Sequence, residues 1–168
     1  MALICVLRER RIYGSLETNT LVGFCYHISM LKVKYITVSR SFCFSAAHRL
    51  FREELSALEN EKLFGKCSRL HGHDYVMKVT VRGLGEGGDM VVNVSTLGEV
   101  VEKEIVSLLD HKNLNTDVPF LTGVLPTMEN IAKKTAEKLE KPLLGIGAEL
   151  CELTLAESEK NSVTLHFV

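Results

Sequence analysis

The chain has no tryptophan, 3 prolines in 168 residues and almost no net charge, with 20 Lys+Arg against 21 Asp+Glu and a sequence pI near 6.6. Without a basic excess, nothing is available to neutralise a phosphate backbone, which argues against nucleic acid as a partner. No apolar run approaches the roughly 18–20 residues that cross a bilayer, so no membrane partner is expected. Charges are interspersed and 46% of residues are hydrophobic, which excludes a mainly disordered chain. What remains is one globular domain of 18.7 kDa, large enough to bury about two thirds of its unfolded surface.

Five cysteines, Cys5, Cys25, Cys43, Cys67 and Cys151, form an odd and scattered set rather than a disulfide framework. They point to a reducing compartment, with most thiols expected as small buried apolar groups. Arg8, Arg10 and Arg11 are interrupted by Glu9 and Glu17, and no apolar leader with a cleavage site follows. A cytoplasmic protein is expected, with a mitochondrial address left open.

Residues 1–31 show no sustained period and read as an N-terminal extension; residues 32–168 read as the folded domain. LKVKYITVSRSFCF, from Leu31 to Phe44, alternates as a half-buried strand. FREELSALENEKLF, from Phe51 to Phe64, reads as a loop carrying a short helix. HGHDYVMKVTVR, from His71 to Arg82, alternates again before the glycine cluster GLGEGGD, and MVVNV resumes an extended character, which suggests a hairpin. Ser95 is a candidate cap for a helix through LGEVVEKEIVSLL, with Leu97, Val101, Glu104 or Ile105, and Leu108 near a 3.6 period. Thr127 is a candidate cap for MENIAKKTAEKLEK, with Pro142 as its stop. Strands at Ala148–Glu157 and Ser162–Val168 close an α+β order, ββααββ, with helices on one face of the sheet.

His71-Gly72-His73 is the first chemical signal, because residues two apart on a strand point to the same face and both imidazoles can reach one ion. His48, at the end of a neighbouring strand, can supply a third nitrogen, the pattern of a catalytic Zn²⁺ site with an open position. Cys67 has two readings: a fourth ligand closing a structural site, or a free thiolate acting as a base. Asp110-His111 reads either as a carboxylate–imidazole relay or as a helix-end histidine beside a solvated acid. Glu129 fits a first helical turn and Glu157 a solvent-facing strand position, yet a carboxylate at either place can take two parallel hydrogen bonds from a 2-aminopyrimidinone edge.

Taken together, FSAAHRL, FGKC-x3-HGHDY, MVVNVSTL, LDHKNLNTDVPF, PTMEN and LAES resemble the 6-pyruvoyl-tetrahydropterin synthases, in order, over about Lys34 to Val168. The resemblance implies a tunnelling fold, in which a four-stranded antiparallel sheet backed by two helices trimerises into a barrel and two trimers stack into a homohexamer. It implies conversion of 7,8-dihydroneopterin triphosphate to 6-pyruvoyl-tetrahydropterin with release of triphosphate, with Zn²⁺ required and Mg²⁺ also associated. By the same resemblance His48, His71 and His73 hold the metal and Cys67 is the base. Asp110 and His111 form its relay from a neighbouring subunit, Glu157 anchors the pterin, and Thr127 and Glu129 assist. Three residues separate Cys67 from His71, the spacing of bacterial 6-carboxy-tetrahydropterin synthases, whereas LENEKLFGKC and LDHKNLNTDVPF resemble the animal enzymes. The alternatives are therefore a 6-carboxy-tetrahydropterin synthase or a non-catalytic zinc-stabilised module.

Overall fold

The computed structural model describes residues 33–84 and 90–168. The expectations for residues 1–31 and for the glycines at 85–89 lie outside them. Strand β1 (Thr37–His48) and strand β2 (His71–Gly83) pair antiparallel along their whole length, with Phe44 opposite Tyr75, Ala46 opposite His73 and His48 opposite His71. Both alternate: Phe42, Phe44, Ala46 and His48 of β1, with Tyr75, Met77, Val79 and Val81 of β2, are buried, while Ser41, Cys43, Val76 and Lys78 face solvent.

Between these strands, α1 (Ala57–Phe64) begins at a capping box, with Ser56 accepting the Glu59 N–H and the Glu59 side chain accepting the Ser56 N–H, and runs into a 3₁₀ turn at Gly65–Ser68. Asn60 is buried inside the preceding loop, its amide group donating to the carbonyls of Arg52, Leu55 and Ser56 and accepting the Arg52 N–H. This polar centre substitutes for an apolar one and shapes the loop.

Helix α2 (Val94–Val101) is capped by Asn93, not Ser95: the Asn93 side-chain oxygen accepts the N–H groups of Ser95 at 2.9 Å and Thr96 at 3.4 Å. MVVNV is likewise no strand. It passes so near the end of β2 that a Cβ on Gly83 would lie 2.8 Å from the Val91 carbonyl oxygen, and β2 pairs with β1 and with the strand Ala148–Ala156 instead. The helix continues through a π-helical stretch, Glu102–Val106, into a last turn, Ser107–Leu109. Leu97, Val101, Ile105 and Leu109 are all fully buried. Spacing of four drifts off one face of a regular α-helix, and the wider π turn takes back that drift, so Leu109 rather than Leu108 reaches the core.

The chain then turns at His111, whose φ of 57° is left-handed. His111 N–H donates to the Ser45 carbonyl, and the Asp110 carboxylate accepts the Ser45 N–H at 2.9 Å. Docked this way on the edge of β1, the short strand β3 (Lys112–Asn113) pairs parallel with Ala46–Ala47. Among the described residues the sheet therefore has five strands, in the order β3-β1-β2-β4-β5 with β4 at Ala148–Ala156 and β5 at Ser162–His166, rather than the four expected. Helix α3 (Met128–Gly145) is capped by Thr127 as expected, but Pro142 lies inside it. A proline in the last turn interrupts little, and the stop comes at Gly147, φ 73°, whose N–H bonds Leu144. Strands β4 (Ala148–Ala156) and β5 (Ser162–His166) complete the sheet. Helices α2 and α3 pack on its buried face and on each other. The described thiols do not fill the core: Cys43 is exposed, and Cys67 and Cys151 are half-buried.

Candidate functional site

The end of β1 and the start of β2 bring three imidazoles together. His48 lies 4.6 Å from His71 and 5.2 Å from His73 between ring centroids, and His71 and His73 are 4.9 Å apart. One nitrogen from each falls within 4.8 Å of the other two. The antiparallel register causes this: His48 and His71 are direct partners, and His73 is two residues along the same face.

Second contacts orient the rings. His48 Nδ1 meets the Pro126 carbonyl oxygen at 2.8 Å and His71 Nδ1 meets that of Arg69 at 2.7 Å. A carbonyl only accepts, so each Nδ1 carries a hydrogen, which leaves Nε2 as the nitrogen available to a ligand in the neutral ring. Burial, above all, holds His48 below its ordinary pKa and therefore neutral. Its Nε2 is buried without a hydrogen-bond partner among the described residues. An orphaned acceptor beside two further imidazoles fits a divalent transition metal, the chemistry these nitrogens serve best.

A cleft of about 690 Å³ opens over the triad. Cys67, Thr127, Glu129 and Glu157 border it with the three histidines, so the structure gathers these expected residues on one wall system. Cys67 sits on the 3₁₀ turn after α1, its carbonyl holding the Leu50 N–H at 2.8 Å, and stands outside the three-nitrogen cluster. Thr127 and Glu129 arrive on the first turn of α3, and Glu157 follows β4 with its carboxylate 3.3 Å from the Asn161 amide nitrogen.

Asp110 and His111 do not join this cleft. Although chain neighbours need not touch, here the Asp110 carboxylate lies 2.8 Å from His111 Nδ1, because the left-handed turn folds the ring back. The Ser45 N–H, and next His111, hold Asp110 below its ordinary carboxylate value. His111 borders a separate hollow of about 460 Å³ with Ser45, Asp74 and Lys112.

Residues 37–166 match the family model described as 6-pyruvoyl tetrahydropterin synthase. The chain belongs to the 6-pyruvoyl tetrahydropterin synthase family. A 6-pyruvoyl tetrahydrobiopterin synthase of Pongo abelii is 44% identical over 129 residues, spanning 75% of this chain and 88% of that relative. The solved Caenorhabditis elegans 6-pyruvoyl tetrahydropterin synthase superposes with a TM-score of 0.70 at 35% identity, covering 83% of this chain and all of that one. A 6-carboxy-5,6,7,8-tetrahydropterin synthase of Aquifex aeolicus matches less, at 30% over 104 residues and 61% of its length. The sheet and two long helices are thus the tunnelling fold of this synthase family.

Sequence reasoning missed the supporting groups: the Pro126 and Arg69 carbonyls, Asn161, and Tyr75. Burial first, and then the Glu157 charge, keep the Tyr75 phenol protonated well above its ordinary value. Period two from His71 and His73 was the signal that could have found Tyr75. Backbone carbonyls leave no signal in the side-chain sequence.

Proposed function

We propose that the protein is a 6-pyruvoyl-tetrahydropterin synthase, a lyase that releases triphosphate from 7,8-dihydroneopterin triphosphate in tetrahydrobiopterin synthesis. The convergence of His48, His71 and His73 beside Cys67 and Glu157 in one cleft carries this reading. Residues 32–168 are its catalytic domain and residues 1–31 an extension. His48, His71 and His73 would hold Zn²⁺, which when bound supplies Lewis-acid polarisation of the substrate's side-chain hydroxyls.

Glu157 accepts two parallel hydrogen bonds from the pterin's amino-pyrimidinone edge, and Thr127 and Glu129 flank the ring. Cys67, as thiolate, takes a proton from the side-chain carbon. His111, its Nδ1–H directed to Asp110, leaves Nε2 free to exchange protons. Its separation from the Cys67 cleft supports a relay to a neighbouring copy's cysteine; the assembly proposed is a homohexamer, and the compartment the cytoplasm. Mg²⁺ is a further requirement for full activity.

Mass spectrometry of the product from dihydroneopterin triphosphate tests the assignment: 6-pyruvoyl-tetrahydropterin is expected. A carboxylated pterin with acetaldehyde would instead establish the 6-carboxy reading, which the three-residue step from Cys67 to His71 favours. The non-catalytic module requires Cys67 as a fourth ligand, and its place outside the imidazole cluster argues against that.

A further inference from the structure

Tyr75 is a buried polar side chain packed against His48 and His73, two of the histidines that border the cleft, and no step above uses it. It follows His71 and His73 on the buried face of β2, with Phe44 opposite it in β1. On the other side, β4 pairs Leu155 with Met77 and Ala156 with Val76. β4 ends at Ala156, and the next residue, Glu157, lies near enough for its charge to act on the Tyr75 phenol.

The tyrosine is 0% exposed. Its ring stacks on Phe44 at 5.0 Å and meets the edges of His73 at 5.6 Å and His48 at 6.2 Å. These contacts fix the ring, yet its hydroxyl has no hydrogen-bond partner among the described residues, an arrangement that folded proteins rarely keep. Glu157, the residue after β4, spends one oxygen on an exposed 3.3 Å contact with Asn161. That bond is long and wet, so giving it up costs little.

We propose that Tyr75 is a positioning residue for Glu157: its hydroxyl donates to the carboxylate when that group turns from Asn161 to engage a pterin. This rests on the reading of Glu157 as the pterin anchor. The lone pairs suffice, because a carboxylate offers about four acceptor positions; a pterin edge uses one on each oxygen, and the phenol takes a third. A donor already fixed by aromatic packing needs no ordering of its own when the carboxylate turns to the ligand, which reduces the ordering cost of binding.

Neopterin, which lacks the triphosphate, is the probe, its binding to the zinc-loaded protein followed by fluorescence. Tyr75→Phe is expected to weaken neopterin binding about tenfold while leaving zinc content unchanged, since one hydrogen bond to a charged group is lost. Its melting temperature is expected to hold or rise, because the phenylalanine removes an unpartnered buried hydroxyl. In a Glu157→Gln background the same change should alter the dissociation constant less than twofold. Asn161→Ala, which removes the competing donor without touching the core, should keep or tighten binding. Wild-type affinity in Tyr75→Phe, an equal loss in both backgrounds, or a tenfold loss in Asn161→Ala overturns the proposal alone. A wild-type protein that binds no neopterin overturns the pterin reading and this one together.

Discussion

His48 combines three constraints in one side chain: it ends a strand, is buried at 3% exposure, and gives one ring nitrogen to Pro126 while the other faces two imidazoles. Only a neutral ring satisfies all three, which is the state a metal requires. His71→Ala should strip zinc from the purified protein with the sheet intact; metal content by mass spectrometry checks it, and unchanged zinc would remove His71 from the ligand set. Cys67 makes a different demand, because its thiol borders the cleft without belonging to the cluster. Cys67→Ala should retain zinc and melting temperature but lose turnover by a factor of about 10²–10⁴, the usual worth of a positioned base. Loss of the metal along with activity would point to a structural ligand instead.

At the scale of elements, short segments held by polar groups set the geometry of the candidate site. The loop before α1 is organised by Asn60, which carries four backbone hydrogen bonds in a buried position. Asn60→Ala leaves those groups unsatisfied and should destabilise the protein by about 1–3 kcal/mol in urea unfolding. It should also displace the 3₁₀ turn that carries Cys67, so turnover falls more than zinc content. A stability change within a few tenths of a kcal/mol would show that the loop is held by something else. The π turn and the left-handed His111 act together in the same way: one delivers Leu109 to the core, the other folds the His111 ring onto Asp110 and docks the chain on Ser45.

On the scale of the whole molecule, His111 and Cys67 border separate hollows, as the proposed relay between copies requires. Inactive Cys67→Ala and His111→Ala subunits, unfolded and reassembled together, should regain about a quarter of wild-type activity, the statistical share of sites with both intact partners in a symmetric oligomer. A pair acting within its own chain would give no recovery. Acid stability is also collective. Burial lowers the His48 pKa from its ordinary 6.5, so the unfolded chain binds that proton first and stability falls as pH drops below about 6.5. Asp110, Asp117 and Glu149 are held below their ordinary values, by the backbone N–H groups of Ser45 and Asn113 and by Arg82 respectively. Their contribution is present above about pH 4 and is lost as pH falls further. Urea midpoints of metal-stripped protein from pH 8 to 3 should decline in those two windows; a rise between pH 7 and 5 would contradict this.

Alternation and spacing by themselves determined the two long strands, the order of elements, the cap at Thr127 and the histidine triad, because a strand's period of two decides which side chains share a face whatever lies around them. The same local rules misplaced the cap of α2, the end of α3 and the strand assigned to MVVNV. There the outcome was a competition between near-equal local choices, and packing against β2 and the core broke the tie. Only the tertiary structure decided that Tyr75 packs on Phe44 with its hydroxyl unpartnered among the described residues, that His111 touches Asp110, and that carbonyls from Pro126 and Arg69 aim the imidazoles. Those contacts join residues distant in the chain, follow from a left-handed turn that a non-glycine residue rarely takes, or use backbone atoms, which every residue carries alike and no sequence pattern distinguishes.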